Sequence, residues 1–271
     1  MELAQRYEKH GRTIAWDRRG QGPAVVFCHG TPFSSRVWSA YADALSNDFT
    51  VYLWDMPGYG ESSKRVDDPV DFDAQGKVFA ELLAYWELDR PRVIAHDYGG
   101  AVSLRATLFE EAVYHSLTLV DTVAIPPAGS PFFQFVQDHP TTLDELPEYI
   151  HDAVLRAYIQ DASHHDLRPD QLDELVAPWL GPEGQPAFYR QIAQFDERYL
   201  REIEANLHRL TIPVTVLWGA EDRWIPPATG RKLAGLIPSA THTEIPGSGH
   251  LMQYDAPAPL TARLLESLRV R

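Results

Sequence analysis

Asp97 occupies a position in the chain where its carboxylate could act as a nucleophile. It lies in the segment Val93–Gly100, where an apolar strand pattern is followed by a tight turn and then by a helical pattern. This strand–turn–helix arrangement is typical of a nucleophile elbow, which presents one side chain on a strained turn between small residues. Ala95 and Gly99 are the small residues here, with alanine in place of the more usual glycine at the first position. Because aspartate is also a preferred helix cap, the elbow alone leaves two interpretations open, a nucleophile or an N-cap.

Two other loops carry groups that could assist a nucleophile. The sequence His-Gly-Thr-Pro, at positions 29–32, directly follows an apolar strand pattern. A loop in that place can direct backbone N–H groups at a developing oxyanion, and we expect the donors to be those of Thr31 and Tyr98. His250 lies in a glycine-rich loop after the last strand pattern, where an imidazole could serve as the general base.

The acidic residue that would orient His250 has two candidates. Asp222 follows a late strand pattern and precedes His250 by 28 positions, whereas Asp121 ends an earlier strand, 24 positions after Asp97. A carboxylate in either place could hold the imidazole in its working orientation. Both positions fit the order nucleophile, acid, histidine; the place after the late strand favours Asp222, and Asp121 is kept as the alternative.

The elements that must position these groups alternate along the chain as short apolar runs and longer helical patterns, which predicts an α/β fold with a mostly parallel sheet. Ligands bind such sheets at the carboxyl ends of their strands, where all four features fall. The predicted strands are Thr13–Asp17, Ala24–Cys28, Thr50–Trp54, Arg92–Ala95, Ser116–Val120, Pro213–Trp218 and His242–Ile245. The predicted helices are Ser35–Leu45, Asp73–Trp86, Gly100–Glu110, Thr229–Leu236 and Pro257–Val270.

Two departures from this alternation shape the predicted topology. The first two strands have no helix between them, and the turn at 20–23 (Gly-Gln-Gly-Pro) indicates an antiparallel pair. From about Ile125 to Leu210 helical pattern dominates, which predicts a cap over the strand ends. We therefore expect a core of residues 1–124 and 211–271 flanking a helical cap at 125–210.

Composition narrows the range of partners. The net charge of −14 argues against nucleic acid and against an anionic membrane surface, since both need clustered basic residues. Cys28 is the one cysteine, so a disulfide within the chain is excluded and a buried thiol is expected. No residue cluster has metal-ligand spacing, and no targeting or membrane-spanning segment is found. We expect a cytoplasmic enzyme acting on a small molecule without metal or cofactor; the sequence leaves its oligomeric state open.

Taken together, the motifs resemble the α/β-hydrolase superfamily from about Thr13 to the C-terminus. The matching segments are His29–Pro32, Asp55–Ser62, the elbow at Asp97, Gly219–Pro226 and Gly249-His250. His-Gly-X-Pro combined with an aspartate at the elbow resembles the branch that holds epoxide hydrolases and haloalkane dehalogenases. The resemblance implies a two-step reaction, in which Asp97 attacks carbon to form an ester and His250 activates water to hydrolyse it.

The leaving group separates the two activities of that branch. Epoxide opening in the family uses tyrosines of the cap, and Tyr189, in a Tyr-Arg pair, resembles one of them. Tyr149 is the candidate for the second tyrosine, and His29 is assigned to substrate contact. The resemblance thus implies an epoxide hydrolase as the preferred function.

A carbon–halogen hydrolase is the alternative within the branch. The family's usual halide donors are a tryptophan after the nucleophile and an asparagine in the His-Gly loop, positions held here by Tyr98 and Thr31. Trp179 and Trp224 could still donate to a halide from elsewhere. A non-catalytic ligand-binding protein of this fold is the alternative from another class.

Overall fold

The computed structural model describes residues 2–139 and 142–269, and within these ranges eight strands form one twisted sheet. The order across the sheet is β1-β2-β4-β3-β5-β6-β7-β8; β1 and β2 run antiparallel to their neighbours and the strands from β4 to β8 in that order run parallel. The strands are β1 Gln5–Lys9, β2 Arg12–Arg19, β3 Ala24–Cys28, β4 Thr50–Trp54, β5 Arg92–His96, β6 Ser116–Val120, β7 Val214–Gly219 and β8 Ala240–Ile245. The predicted α/β fold with a mostly parallel sheet is confirmed.

Helices cover the sheet and form one long insertion between β6 and β7. Those of the sheet region are α1 Ser39–Leu45, α2 Phe72–Tyr85, α3 Tyr98–Phe109, α9 Pro227–Leu236, α10 Met252–Asp255 and α11 Pro257–Leu268. Those of the insertion are α4 Pro131–Asp138, α5 Glu148–Asp161, α6 Pro169–Val176, α7 Gly181–Ala193 and α8 Arg198–Asn206. We refer to this insertion as the cap; its exact boundaries at 125 and 210 stay a prediction. Val270, in the last predicted helix, lies outside the described residues.

The central strands are apolar because helices cover both faces of the sheet. All five residues of β6 are buried, as are the last four of β3 and of β5. Parallel strands covered on both sides are read in a sequence as continuous apolar runs, which is why these strands could be predicted. Cys28 ends β3 and is fully buried, as expected, and burial raises the pKa of its thiol to about 12.

The N-terminal edge of the sheet corrects the predicted pairing. β2 does not pair with β3; it lies between β1 and β4, with Trp16 opposite Trp54. The turn after β2 carries the chain past β4, and a Cβ on Gly22 would lie only 2.2 Å from the Asp48 carbonyl oxygen. β1 itself escapes prediction because its residues are mostly exposed and polar, so no alternation of apolar residues marks it.

Candidate active site

Asp97 lies on a strained turn between β5 and α3. Its φ and ψ are 48° and −119°, a left-handed φ that costs energy for a residue with a side chain and that clusters at functional sites. A Cβ on Gly99 would lie 2.5 Å from the carbonyl oxygen of His29, so the turn packs directly against the end of β3. The Asp97 carboxylate makes no hydrogen bond to the described amides that open α3. The N-cap interpretation is therefore wrong.

The two oxygens of the Asp97 carboxylate have different surroundings. Oδ1 accepts a hydrogen bond of 2.6 Å from the backbone N–H of Thr31, while Oδ2 lies 3.4 Å from Nε2 of His250. Both Asp97 and His250 are buried. The predicted donor Tyr98 supplies the first amide of α3, and the opening amides of a helix have no intrahelical acceptor. One carboxylate oxygen is thus held by backbone, and the other is directed at an imidazole.

His250 is held from its other side by Asp222. Its Nδ1–H donates to Asp222 Oδ2 at 3.0 Å, and Asp222 Oδ1 accepts from the backbone N–H groups of Trp224 at 2.8 Å and Ile225 at 2.9 Å. Burial alone would lower the pKa of His250, but the carboxylates of Asp222 and Asp97 outweigh it and raise that pKa well above its ordinary value. An imidazole between two carboxylates can transfer a proton at Nε2 while Nδ1 stays fixed.

The alternative acid, Asp121, lies near Asp222 but has a different hydrogen-bond partner. Its Oδ1 accepts a 2.7 Å hydrogen bond from the Gly219 N–H, which ties the end of β6 to the end of β7. Its Oδ2 has no partner among the described residues. Burial, with the nearby charge of Asp222, raises the pKa of Asp121 well above its ordinary value. Of the two candidate acids, Asp222 is the one that the structure places in hydrogen-bond contact with His250.

His29 does not contact the cavity over Asp97, contrary to the expected role in substrate contact. Its Nδ1–H donates to the Gly30 carbonyl at 2.9 Å, and its Nε2 accepts from the Met56 N–H at 2.9 Å. Both ring nitrogens are therefore occupied, and burial lowers the pKa of the ring. His29 instead fastens the loop after β4 to the loop that carries Thr31.

A small cavity of about 40 Å³ lies over Asp97. Ligand clefts measure ~300–1,000 Å³, so this cavity holds water and little else. The core and its loops contribute Thr31, Asp97, Tyr98, Val123, Trp224 and Ile225 to the wall, and the cap side contributes Ala128, Gly129, Ser130, Phe133, Tyr158 and Phe195. Asp97 is the one formally charged side chain among these described residues. A substrate larger than a few atoms needs more room than this cavity offers.

The two cap tyrosines predicted to open an epoxide are not in this cavity. Tyr149 is 74% exposed, on the outer face of α5. Tyr189 is fully buried, but its hydroxyl donates to His151 Nδ1 at 2.9 Å, and His151 in turn donates from Nε2 to the Trp179 carbonyl. This buried chain of hydrogen bonds joins cap helices to each other. Tyr189 and Tyr149 are corrected here to a structural and a surface residue.

Tyr98 and Tyr158 are the tyrosines that line the cavity. The Tyr98 hydroxyl is buried without a partner among the described residues, and its ring packs 6.1 Å from that of Phe195. Burial first, and then neighbouring groups that include the Asp97 charge, raises the pKa of both tyrosines well above the ordinary value. The hydroxyls therefore stay protonated and can donate. The spacing of buried residues on α5, at 151, 155 and 159, could have favoured position 158 over position 149.

Both tryptophans considered as halide donors have their indole N–H groups occupied. Trp179 Nε1–H donates to the Pro32 carbonyl at 2.5 Å, and Trp224 Nε1–H donates to Asp161 Oδ2 at 3.2 Å. Trp224 lines the cavity, where it stacks on Tyr158 with ring centroids 4.4 Å apart. His96, beside the elbow, uses Nε2–H to donate to the His250 carbonyl at 2.9 Å and so has a packing role.

Within the described residues no helix has the length and apolar character to cross a membrane.

Comparison with known proteins places this geometry in a family. A family model described as alpha/beta hydrolase fold matches residues 23–257. The crystal structure of an alpha/beta hydrolase fold protein from Burkholderia ambifaria is 44% identical, covers 98% of each chain and superposes with a TM-score of 0.95. A putative carbamate hydrolase, RutD, of a Caulobacter species is 26% identical over 97% of this chain and 94% of its own. The bifunctional epoxide hydrolase 2 of Sus scrofa is 24% identical over 96% of this chain and 54% of its own. The chain belongs to the alpha/beta hydrolase fold family.

Proposed function

We propose that the protein is an epoxide hydrolase of the aspartate-nucleophile branch, which converts an epoxide to a diol through an ester on Asp97. The observation that carries the proposal is the pairing of Asp97 with two tyrosines in one cavity. Tyr98 and Tyr158 offer neutral O–H donors there, and the indole N–H groups of Trp179 and Trp224 already donate to protein oxygens. An epoxide oxygen needs hydroxyl donors when its ring opens, whereas a halide would need the indoles. The similarity to a named epoxide hydrolase supports the same assignment.

In the first half-reaction, Asp97 Oδ2 attacks a ring carbon and the carbon–oxygen bond of the epoxide breaks. The released oxygen takes a proton from a tyrosine hydroxyl, for which Tyr158 and Tyr98 are the candidates. Oδ2 is the attacking atom because Oδ1 is held at 2.6 Å by the Thr31 N–H. The product of this step is a hydroxyalkyl ester in which Oδ1 has become the carbonyl oxygen.

Ester formation also changes His250. It removes the negative charge of Asp97, one of the causes of the raised imidazole pKa, so that pKa falls. The imidazolium can then release its proton to the tyrosinate left by ring opening. His250 becomes a neutral base, with Nδ1 still held by Asp222, at the moment when a base is needed.

In the second half-reaction, His250 Nε2 takes a proton from water as the water oxygen attacks Cγ of Asp97. The charge that develops on Oδ1 is stabilised by the N–H groups of Thr31 and Tyr98. When the intermediate collapses, the Cγ–Oδ2 bond breaks and Oδ2 leaves with the diol. The diol oxygen takes the proton of the new carboxyl group, which restores the Asp97 carboxylate with one oxygen from water.

The cavity wall indicates the class of epoxide. Five aromatic rings, those of Tyr98, Phe133, Tyr158, Phe195 and Trp224, line the cavity over Asp97. No basic side chain is among the described lining residues, so nothing in the wall would offset the charge of an acidic substrate beside Asp97. We propose a neutral, apolar epoxide, with aryl-substituted epoxides such as styrene oxide as the first substrates to test.

A labelling experiment tests the proposal. The enzyme in excess is mixed with styrene oxide in H₂¹⁸O for one turnover, and the peptide that contains Asp97 and the diol are analysed by mass spectrometry. We expect the heavy oxygen in the Asp97 carboxylate and none in the diol. A parallel assay with (2-bromoethyl)benzene should release no bromide above background.

Three results would count against parts of the proposal. Heavy oxygen in the diol after a single turnover would mean direct attack by water and would remove the ester. Bromide release without diol formation would move the assignment to carbon–halogen hydrolysis. Absence of turnover and label with a panel of neutral epoxides and haloalkanes, while the ligands still bind, would favour the non-catalytic binding protein.

A further inference from the structure

The loop that carries the Thr31 N–H is fastened to the cap at two consecutive residues. The Thr31 hydroxyl donates to Oε1 of Gln191 on α7 at 2.7 Å, and the Pro32 carbonyl accepts from the Trp179 indole at 2.5 Å. Both partners belong to the cap, while Thr31 and Pro32 belong to the core loop after β3. The predicted oxyanion donor is therefore held by groups on both sides of the boundary between core and cap.

Of the two cap partners, Gln191 is the one whose side-chain amide also bonds a second core residue. Its Oε1 also accepts from the hydroxyl of Tyr59, a buried core residue, at 3.0 Å. Gln191 is 1% exposed, and its Nε2 has no partner among the described residues. A side chain that serves only to pack the cap gains nothing from a buried amide left half-satisfied, because an apolar side chain of similar size would avoid that cost.

Arg190 of α7 and the residue that directly follows this helix, Gln194, also join the cap to the core, but not through the oxyanion loop. Gln194 Oε1 accepts from the Val70 N–H at 2.8 Å, and the Arg190 guanidinium donates to the Lys64 carbonyl at 3.2 Å. Gln194, just past the end of α7, thus shares with Gln191 a side-chain type and a hydrogen bond to the core. They differ in that only the Gln191 contact leads to Thr31, which bonds Asp97 Oδ1.

We propose that Gln191 is a positioning residue that holds the Thr31 N–H against Asp97 only while the cap is docked. The inference rests on the proposed function. The cavity of about 40 Å³ is too small for an aryl epoxide, so we expect the cap to move as substrate enters, and that movement would separate Gln191 from Thr31. Redocking the cap over the bound substrate would restore the contact. Water would then attack the ester with the oxyanion donor in place, and cap opening would follow hydrolysis.

The two half-reactions should depend on Gln191 unequally. Attack by Asp97 Oδ2 on carbon develops charge on the epoxide oxygen, which the tyrosines contact. Hydrolysis of the ester develops charge on Oδ1, which the Thr31 N–H contacts. Misplacing that N–H should therefore slow the second step far more than the first, and the ester should accumulate.

The test compares Gln191→Leu with Gln194→Leu, the matched variant three positions further along the chain. Styrene oxide is mixed with each enzyme, and the ester on the Asp97 peptide is followed by rapid quench and mass spectrometry. For Gln191→Leu we expect hydrolysis about 10- to 100-fold slower, below the loss for deleting an oxyanion donor outright, with ester formation changed less than about threefold. Gln194→Leu should leave the ratio of the two rates as in the unsubstituted enzyme. Thermal unfolding of both variants controls for loss of folded protein.

A double substitution removes the remaining ambiguity. Thr31→Val keeps the backbone N–H and deletes the hydroxyl that bonds Gln191, so it should reproduce the effect of Gln191→Leu, and the pair together should add little more. Additive effects, or equal slowing of both half-reactions, would overturn the inference and leave Gln191 a packing residue. If the unsubstituted enzyme forms no ester, the proposed function has failed, a result distinct from ester that forms and hydrolyses equally fast in every variant.

Discussion

The two sides of the cavity hold their polar groups by different means. On the core side, Asp222 accepts two backbone N–H groups as well as the imidazole of His250, and Asp97 accepts the Thr31 N–H. On the cap side, Tyr158 is placed by stacking on Trp224. Charged groups are thus fixed by main chain at the strand ends, and a neutral donor is fixed by ring packing.

The core side of the site is therefore rigid, and the cap side can adapt. Backbone at the carboxyl ends of β5 and β7 cannot shift without disturbing the sheet, so Asp97 and Asp222 are preorganised. Side chains packed on a movable cap can adjust to the substrate. We therefore expect substitutions on the core side to remove whole chemical steps and substitutions on the cap side to lower rates in a substrate-dependent way.

The largest effects should come from the two groups that take part in bond making. Asp97→Ala should remove both half-reactions and lower turnover by about 10⁴-fold or more, because no other described carboxylate lines the cavity. His250→Ala should lower turnover by about 10²- to 10⁴-fold, the contribution of a general base, but leave ester formation intact. Mass spectrometry of the Asp97 peptide separates them: the adduct should be absent in the first variant and stable in the second. An adduct that still hydrolyses at the unsubstituted rate in His250→Ala would exclude His250 as the base.

A smaller effect should distinguish the two buried acids of the core side. Asp222→Asn removes the charge that holds and polarises His250, and we expect turnover to fall by about 10²- to 10⁴-fold. Asp121→Asn keeps an acceptor for the Gly219 N–H and should cost less than about tenfold. Deleting the Asp222 charge should also lower the pKa of His250, since that carboxylate raises it.

The titration of His250, followed by NMR of its ring, checks the direction. In Asp222→Asn the midpoint should move to lower pH, and in Asp121→Asn it should move less. If Asp121→Asn gave both the greater loss of turnover and the larger shift, the acid assignment would have to be exchanged.

How far the site follows from sequence depends on the same division. Asp97, Asp222 and His250 stand out in the sequence because each comes within a few residues of the end of an apolar strand pattern, and parallel strands bring their ends to one edge. Their catalytic roles stay predictions. The sequence favours Tyr189 and Tyr149 for ring opening, but neither lines the cavity, because the direction of a cap side chain depends mainly on how the helices pack. The spacing of apolar residues on α5 gives the one local signal, and it favours Tyr158. Gln191, the partner of Thr31, lies 160 positions away, and no pattern around either residue predicts their hydrogen bond.

The fold shows the same contrast at its edge. The buried parallel strands could be predicted from continuous apolar runs, whereas β1, with the sequence Gln-Arg-Tyr-Glu-Lys, could not. β1 exists because β2 offers it a free edge and backbone partners, a long-range cause that its own residues do not display. Pairing of β2 with β4 rather than β3 is likewise decided by the sheet as a whole.

Intermediate effects are expected from the two tyrosines that line the cavity. Tyr158→Phe and Tyr98→Phe each keep the ring and delete one hydroxyl, so packing is preserved and only a donor is lost. If both hydroxyls donate to the epoxide oxygen, each variant should slow ester formation by about 10- to 10²-fold and leave ester hydrolysis unchanged. Rapid-quench measurement of the two steps with styrene oxide gives both rates. Tyr149→Phe, on the exposed face of α5, is the control and should match the unsubstituted enzyme.

The tyrosine variants also separate a donor that adapts from one that is fixed. Tyr98 follows the nucleophile on the core side, while Tyr158 belongs to the cap, so their losses should respond differently to the substrate. With a bulkier aryl epoxide, which holds the cap further from the core, the effect of Tyr158→Phe should shrink and that of Tyr98→Phe should persist. Equal losses across substrates of different size would show that the cap tyrosine is as rigidly placed as the core, and the proposed division between the two sides of the cavity would fail.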